Sequence, residues 1–290
     1  MSPKSLKIWL DGQLVPQADA KISVYDHGLL YGDGVFEGIR TYNNQIFEFE
    51  AHLRRLYESA RSIRLEIPYT ADELKKATQE TVKANDFTDC YIRMVVTRGV
   101  GALGIDPTSC GRPSVFIIAD QIRIYPPEMY EKGMAIVTSS IIRNHPNALS
   151  PRIKSLNYLN NILAKIEAID AGVLEAIMFN HLGYVAECTA DNFFLVKGDV
   201  VYTPYPSDGS LEGVTAQCIR ALAGKLGIPL QERHIERHDL YIADECFLTG
   251  TGAEVMPVTS IDKRKIGTGE CGPITRRLLD AFHKHVRGEL

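Results

Sequence analysis

The stretch that most constrains the fold is a proline-bounded loop that runs directly into an apolar helical pattern. Over residues 159–172, apolar side chains recur at three- and four-residue spacing, which is typical of an amphipathic helix with one buried face. These side chains are Leu159, Ile162, Leu163, Ile166 and Ile169. Pro151 disfavours helix just upstream, and Gly172 suits a C-terminal stop. The pattern therefore predicts that Lys154 lies in the loop immediately before a helix.

Lys154 would occupy an unusual electrostatic position in that loop. The N-terminus of a helix carries partial positive charge, which disfavours a second cation and favours the neutral amine. A neutral lysine amine can form a Schiff base with an aldehyde. A lysine is more often a solvated surface residue, however, so position alone leaves both interpretations open.

The residues around Lys154 resemble a known family. Lys154-Ser155-Leu156-Asn157-Tyr158-Leu159, with Glu167-Ala168 later, is similar to the cofactor-lysine segment of the class IV aminotransferases, and of the branched-chain aminotransferases in particular. The resemblance runs from about residue 8 to the last helix, and several motifs occur in family order. It implies an α+β fold with two domains, the D-amino acid aminotransferase-like fold type IV. Pyridoxal 5′-phosphate would lie in the interdomain cleft, bound by Lys154 as the catalytic residue.

Length and charge argue against several other classes of function. A chain of 290 residues can bury a large core in one or two domains. Its net charge of −4, with acids and bases interspersed, leaves no basic patch for nucleic acid or an anionic membrane. No apolar run is long enough to span a bilayer. The first residues lack the apolar stretch of a signal peptide, so a cytoplasmic location is expected.

The cysteines and histidines predict no metal site. The six cysteines are scattered, without a Cys-x-x-Cys pair or a histidine at metal-ligand spacing. Four histidines near chain ends or on helix faces likewise have no acid or thiol at such spacing, so we interpret them as structural or solvated. These are His234, His238, His283 and His285. Free thiols are expected rather than disulfides.

A proline-containing stretch predicts where two domains meet. Residues 122–132 include Pro126-Pro127 and are interpreted as a linker. A small N-terminal α+β domain would then cover residues 1–121, and a larger cofactor-binding domain would cover residues 133–290. Strand and helix patterns occur in both halves, which is compatible with the implied fold but does not prove it.

A glycine-rich segment in the first half is a candidate substrate pocket. Three glycines among residues 32–38 permit tight turns or close approach to a ligand, although the spacing matches no phosphate-binding loop. Residues 31–40 resemble the substrate-pocket segment of branched-chain aminotransferases. That resemblance implies that Tyr31 and Phe36 are apolar walls and that Arg40 is a polar neighbour.

Two further motifs of the first half imply anion-binding arginines. His52-Leu53-Arg54-Arg55-Leu56 is similar to the family's His-x-x-Arg-Leu, whose arginine holds the cofactor phosphate, and a guanidinium fork suits a dianion. Tyr91-Ile92-Arg93 resembles the family's Tyr-Ile-Arg. Strand alternation puts Tyr91 and Arg93 on one face, where a buried Arg93 would need either a substrate carboxylate or an internal salt bridge.

The second half carries two residues that the resemblance assigns to the cofactor ring. Residues 183–187 resemble the segment whose glutamate faces the pyridine nitrogen, which would be Glu187 here. Tyr158 would hydrogen-bond the phenolic oxygen of the ring.

Two turns of the second half are implied to hold phosphate. Val214 and Thr215 stand at the start of a helix predicted over residues 216–226, where exposed N–H groups bind phosphate, although a plain threonine cap is the alternative. Gly250-Thr251-Gly252-Ala253-Glu254 resembles the family's second phosphate and substrate-carboxylate contact. Thr251 and Gly252 would make it, with Gly252 standing where some relatives have alanine.

The resemblance also implies a reaction and an assembly. Amino groups would pass between L-leucine, L-isoleucine or L-valine and 2-oxoglutarate in a ping-pong cycle, so the partners are small amino acids and 2-oxo acids. A homo-oligomer, dimer or hexamer, is expected. The alternatives are a D-amino acid or (R)-amine transaminase of the same fold, an aminodeoxychorismate lyase, or a non-catalytic phosphate-binding protein.

Overall fold

The computed structural model describes residues 6–121, 125–126 and 128–290, which form two compact units. The first unit contains the described residues up to 121 together with Ile153–Asn157. The second contains those from 125 to 152 together with 158–290. Part of the predicted linker, residues 122–124 and 127, lies outside the described residues.

The first unit is built on an antiparallel sheet in the order β2-β1-β6-β5-β3-β4. Its strands are β1 (Lys7–Leu10), β2 (Gln13–Pro16), β3 (Gly34–Tyr42), β4 (Gln45–Ile46), β5 (Tyr91–Thr97) and β6 (Ser114–Asp120). Its helices are α1 (His27–Tyr31), α2 (Phe49–Ser62) and α3 (Ala71–Ala84). The central strands β3 and β5 pair from Gly34 opposite Thr97 to Arg40 opposite Tyr91, which fixes the register of the candidate pocket residues.

The core of the first unit lies between its sheet and helix α2. Leu53, Leu56 and Ala60 of α2 pack with sheet residues such as Ile39 and Met94. The same helix also buries two polar side chains, His52 and Ser59. Because buried polar groups require hydrogen-bond partners, these two residues mark a part of α2 that does more than pack apolar surface.

The second unit has a mixed sheet in the order β12-β11-β10-β13-β14-β7-β8-β9, with β15 beside β14. Its strands are β7 (Met134–Thr138), β8 (Ala176–Phe179), β9 (Val185–Cys188), β10 (Asn192–Lys197), β11 (Val200–Thr203), β12 (Leu230–Glu232), β13 (Glu245–Gly250), β14 (Glu254–Ile261) and β15 (Arg264–Lys265). Its helices are α4 (Glu128–Lys132), α5 (Pro146–Leu149), α6 (Leu159–Asp170), α7 (Val214–Lys225), α8 (Arg237–Tyr241) and α9 (Pro273–Val286). Both units combine helices with largely antiparallel sheets, which confirms the predicted α+β class.

Helix α6 forms where the periodicity predicts it, but the prediction of its buried face is wrong for the single chain. The buried positions are the small or polar residues Asn161, Ala164 and Ala168. The five large apolar side chains, from Leu159 to Ile169, are 44–67% exposed. Small side chains let the helix lie close to its own unit, and this leaves the large apolar residues on the outer side. Helix α6 therefore presents an apolar face that the described residues do not cover.

Across the described ranges, no helix is long and apolar enough to cross a membrane.

Candidate active site

The candidate residues divide between the two units. The first unit contains Tyr31, Phe36, Arg40, Arg55, Tyr91, Arg93 and Lys154. The second unit contains Tyr158, Glu187, Val214, Thr215, Thr251 and Gly252.

Lys154 is held by backbone contacts to β3 and α2. Its carbonyl oxygen accepts the N–H of Phe36 at 3.0 Å, and its own N–H donates to Ser59 Oγ at 3.1 Å. Two residues on, the N–H of Leu156 donates to the carbonyl of Gly34 at 3.0 Å. The side-chain Nζ lies 4.7 Å from the centre of the Phe36 ring. Ser155 therefore forms an isolated antiparallel bridge with Val35 of β3, and this bridge fixes the position of the Lys154 backbone.

Arg93 lies against two aromatic rings and has no carboxylate partner in the described residues. Its guanidinium carbon is 4.5 Å from the Phe36 ring centre and 5.5 Å from that of Tyr91, and Nη2 donates to Tyr91 Oη at 3.1 Å. Its Nε is buried and makes no hydrogen bond to any described residue. The internal salt bridge that was one alternative for this arginine is thus absent from the described chain. A buried N–H donor on a cation requires an acceptor, and the carboxylate of a ligand would supply both the acceptor and the opposite charge.

Gly38 makes room for this arrangement. It pairs with Arg93 across the sheet, and a Cβ at Gly38 would lie 2.0 Å from Tyr91 Oη. The absence of a side chain at Gly38 is therefore what allows the Tyr91 hydroxyl to lie across β3 and meet Arg93.

Arg55 forms a buried ion pair with Glu37 of β3. Arg55 Nε and Nη2 donate to the two carboxylate oxygens at 2.7 and 2.8 Å, and His52 Nδ1 lies 2.7 Å from Oε2. Burial acts to raise the pKa of Glu37, but the charge of Arg55 and the hydrogen bonds from Arg55 and His52 outweigh it and lower that pKa to about 2. Burial lowers the pKa of His52. The pair is therefore Glu37⁻ and Arg55⁺, with a neutral His52 that donates from Nδ1.

Sequence reasoning missed both Glu37 and His52. The available signal was an acidic residue inside the otherwise apolar run Gly34-Val35-Phe36-Glu37-Gly38-Ile39, because a carboxylate in such a strand must find a cation.

Two other candidates of the first unit have different neighbours. Tyr31 lies at the end of α1, where its ring meets His27 edge to face and its hydroxyl accepts the N–H of Gly104 at 2.8 Å. The Arg40 guanidinium lies 4.8 Å from the ring centre of Tyr42.

In the second unit, Glu187 is buried at β9 with both carboxylate oxygens engaged. Oε1 accepts from Arg143 Nε at 2.8 Å, and Oε2 accepts the N–H of Leu211 at 2.9 Å. Arg143, which sequence reasoning also missed, donates further to Asn160 Oδ1 at 3.1 Å. An ionised carboxylate offers about four lone-pair positions, so Glu187 can still accept an N–H from a ligand ring.

The N-terminus of α7 suits a phosphate. Gly213 is the N-cap and supplies no side-chain cap, so the alternative of a plain threonine cap at Thr215 is wrong. Val214 and Thr215 are the first two residues of the helix, and both are buried. A Cβ at Gly213 would lie 1.9 Å from Asn192 Oδ1, so only glycine fits beside that amide. Backbone N–H groups at an uncapped helix start are a suitable donor set for an anion.

The remaining candidates lie at turns of the second unit. Thr251 and Gly252 form the turn between β13 and β14, and both are half-buried. Tyr158 is the N-cap of α6, and its side chain does not cap that helix. No group of three or more histidine, cysteine, aspartate or glutamate side chains in the described residues could hold a metal ion.

Comparison with known proteins identifies relatives along nearly the full chain. The family model described as amino-transferase class IV matches residues 34–261. A protein of Methanocaldococcus jannaschii is 48% identical over 97% of this chain and 96% of its own length. The branched-chain-amino-acid aminotransferase of Pseudomonas aeruginosa is 40% identical over 100% of this chain and 95% of its own. The crystal structure of the T.th. branched-chain amino acid aminotransferase complexed with N-(5′-phosphopyridoxyl)-L-glutamate superposes with a TM-score of 0.93 at 39% identity, covering 99% of this chain and 96% of that chain.

Proposed function

Because the chain belongs to the amino-transferase class IV family, we propose that it is a pyridoxal-phosphate-dependent aminotransferase that exchanges amino groups between L-leucine, L-isoleucine or L-valine and 2-oxoglutarate. The observation that carries the proposal is that two nitrogen-bearing side chains lie at one aromatic ring: the Lys154 amine at 4.7 Å and the Arg93 guanidinium at 4.5 Å from the Phe36 ring centre. One is a nucleophile, and the other is a receptor for a carboxylate. The near full-length similarity to branched-chain aminotransferases supports the same assignment.

The catalytic role falls to Lys154. Bound pyridoxal phosphate supplies an aldehyde that takes up the amino group and a ring that withdraws electrons. The Lys154 amine would hold that aldehyde and would also serve as the base that takes the proton from the substrate α-carbon. Its main chain is anchored by the N–H of Phe36 and by Ser59 Oγ, which leaves the side chain to do the chemistry.

The cofactor-holding roles are assigned by charge and donor type. Glu187, fixed by Arg143 and the Leu211 N–H, would accept a hydrogen bond from the ring nitrogen and so favour its protonated form. The phosphate is assigned to the Arg55 guanidinium, the N–H groups of Val214 and Thr215, and the hydroxyls of Thr215 and Thr251. Tyr158 donates to the phenolic oxygen of the ring.

The substrate side chain is assigned to the first unit's aromatic and basic residues. Phe36 and Tyr31 provide apolar walls for leucine, isoleucine and valine. Arg93, oriented by Tyr91 and with Arg40 as a further polar neighbour, receives the side-chain carboxylate of glutamate. Thr251 and Gly252 contact the α-carboxylate that all these substrates share.

Replacing Arg93 with glutamine is expected to separate the two substrate classes. Loss of a charged hydrogen bond of roughly 1.5–3 kcal/mol should lower kcat/KM for L-glutamate about 10- to 150-fold. The kcat/KM for L-leucine, which has no side-chain carboxylate, should change about threefold or less. The measurement is the rate of each half-reaction at the cofactor absorption band.

Arg264→Gln is the matched control, because Arg264 also lies over an aromatic ring, that of Tyr241, at 4.3 Å. It should leave both rates unchanged. An equal loss for leucine and glutamate in the Arg93 variant would contradict the assigned role of Arg93.

The overall function is tested by a substrate panel on the holoenzyme. Bleaching of the yellow cofactor band by L-leucine, L-isoleucine and L-valine, and its recovery with 2-oxoglutarate, is expected. A response only to D-alanine or to (R)-amines would indicate a transaminase of different specificity. Turnover of aminodeoxychorismate would indicate the lyase, and a protein that binds phosphate but never bleaches would be non-catalytic.

The uncovered apolar face of α6 supports a homo-oligomer, dimer or hexamer, in which a second copy covers Leu159, Ile162, Leu163, Ile166 and Ile169. A contiguous exposed apolar patch is typical of an interface rather than of a free surface. Ile166→Lys is expected to shift the mass measured by light scattering toward the monomer. Leu182→Lys, at another exposed apolar residue of the same unit, is the control and should leave the measured mass unchanged. A parent protein that is monomeric at micromolar concentration would contradict the proposal.

A cytoplasmic location is consistent with the thiols. The six cysteines all lie in the described residues and none forms a disulfide, which suits a reducing compartment.

A further inference from the structure

One face of helix α2 carries polar groups directed at β3 and at the Lys154 segment. The polar groups are those of His52, Arg55 and Ser59, which are separated by three and four residues and therefore lie on the same side of the helix. Ser59 accepts the backbone N–H of Lys154, whereas His52 and Arg55 both contact the carboxylate of Glu37. Helix α2 therefore bonds both to the amine-bearing segment and to Glu37.

The contact between Arg55 and Glu37 fixes the orientation of the guanidinium. Nε and Nη2 both donate to Glu37, at 2.7 and 2.8 Å, so the fork is engaged along one edge. Since the guanidinium is planar, the edge that includes Nη1 must face away from Glu37. His52 Nδ1 at 2.7 Å from Oε2 fixes the carboxylate in turn.

Stability alone does not account for a carboxylate at this position. Glu37 is fully buried, and the strand around it is apolar. Removing a charge from water is costly, and buried ion pairs can often be replaced by apolar residues without loss of stability. Its backbone neighbour Phe36 donates to the carbonyl of Lys154. Adjacent residues of β3 thus fix both the segment that carries the amine and the guanidinium.

We propose that Glu37, held by His52, is a positioning residue that aims Arg55 at the cofactor phosphate. The inference rests on the proposed function, because it takes Arg55 to be a phosphate ligand. Glu37 itself touches neither substrate nor cofactor, and it acts only through the direction that it gives to the guanidinium.

The test compares two ligands that differ only in the phosphate. The full-length protein, freed of cofactor, is titrated with pyridoxal 5′-phosphate and with pyridoxal, and the two dissociation constants are read from the absorption band. Glu37→Gln is expected to weaken the binding of pyridoxal phosphate roughly 10- to 100-fold, by analogy with the loss of residues that orient metal ligands. The dissociation constant of pyridoxal should change about threefold or less. Equal weakening of both ligands, or no weakening, overturns the proposal.

A double substitution tests whether Glu37 acts through Arg55. Arg55→Gln alone should reduce the preference for pyridoxal phosphate over pyridoxal, and adding Glu37→Gln should reduce it no further. If the amide variant fails to fold, Glu37→Asp keeps the charge but withdraws the carboxylate by one methylene, and it should weaken the preference in the same direction. A parent protein without any preference for the phosphate would instead refute the proposed function.

Discussion

Replacing Lys154 with alanine is expected to lower multiple-turnover transamination by about 10⁴-fold or more, because one side chain supplies both the nucleophile and the proton-transfer base. The fold should survive this change. The contacts that place this residue are made by its backbone, to the N–H of Phe36 and to Ser59 Oγ, and alanine preserves both. The loss would therefore be chemical rather than structural.

The measurement is steady-state turnover of L-leucine with 2-oxoglutarate, alongside the thermal unfolding midpoint. Lys284→Ala, at an exposed lysine of α9, is the control and should retain full activity. Borohydride treatment of the parent holoenzyme should leave a pyridoxyl mass on the peptide that contains Lys154. A Lys154→Ala protein that turns over repeatedly without added amine would disprove the catalytic assignment.

The second large effect is expected in the pH dependence of stability and comes from a pair of buried acids in the second unit. Glu175 accepts the N–H groups of Ala176 and Thr189 at Oε1, while its Oε2 has no partner among the described residues. Asp191 Oδ2 accepts the Tyr125 hydroxyl at 3.1 Å. Burial raises the pKa of both acids, and the neighbouring charge of Glu175 raises the pKa of Asp191 further. The native protein therefore retains a proton that the unfolded chain loses.

The sign follows from the number of protons bound. Above the ordinary aspartate pKa of 3.8, the unfolded chain gives up the proton while the native state keeps it. The free energy of unfolding should then fall by up to about 1.4 kcal/mol for each pH unit, until Asp191 ionises in the native state as well. Glu37 acts in a separate window: its lowered pKa stabilises the fold above pH 4.5, and that contribution is lost as the pH falls toward 2.

Asp191→Asn should remove much of this decline, since a neutral amide has no proton to lose. The variant is expected to gain roughly 2–4 kcal/mol on the parent between pH 4 and 7, read from urea unfolding at each pH. Asp170→Asn, at an exposed residue ending α6, is the control and should keep the parental slope. Parallel curves for parent and Asp191→Asn would show that this acid does not hold the proton.

The position of α6 could be predicted from sequence, but its environment could not. Recurring Leu159, Ile162 and Ile166 mark a helix because the spacing matches the helical repeat. The same spacing does not say whether a chain covers that face by itself. Ala164 and Ala168 determine which face is buried, because their small side chains allow the opposite side of the helix to pack closely. Two alanines in a single sequence are too common to predict this orientation.

The site shows the same division between local pattern and tertiary contact. The candidate residues Arg55, Arg93 and Lys154 were reached through short motifs, and their roles remain predictions. Glu37 and Arg143 were missed because what matters about them is a partner far along the chain. Glu37 meets Arg55 across 18 residues, and Arg143 meets Glu187 across 44. Such pairings arise from the fold, so no spacing rule predicts them.

The insertion of Ile153–Asn157 into the first unit has a consequence for biosynthesis. A nascent chain that has left the ribosome only as far as residue 121 lacks the five-residue piece that lies along β3. Translation must already have passed through β7 of the second unit before the first can be completed. The first unit therefore cannot complete its fold before synthesis of the second unit has begun. The amine-bearing residue arrives among the last parts of the structure that holds it.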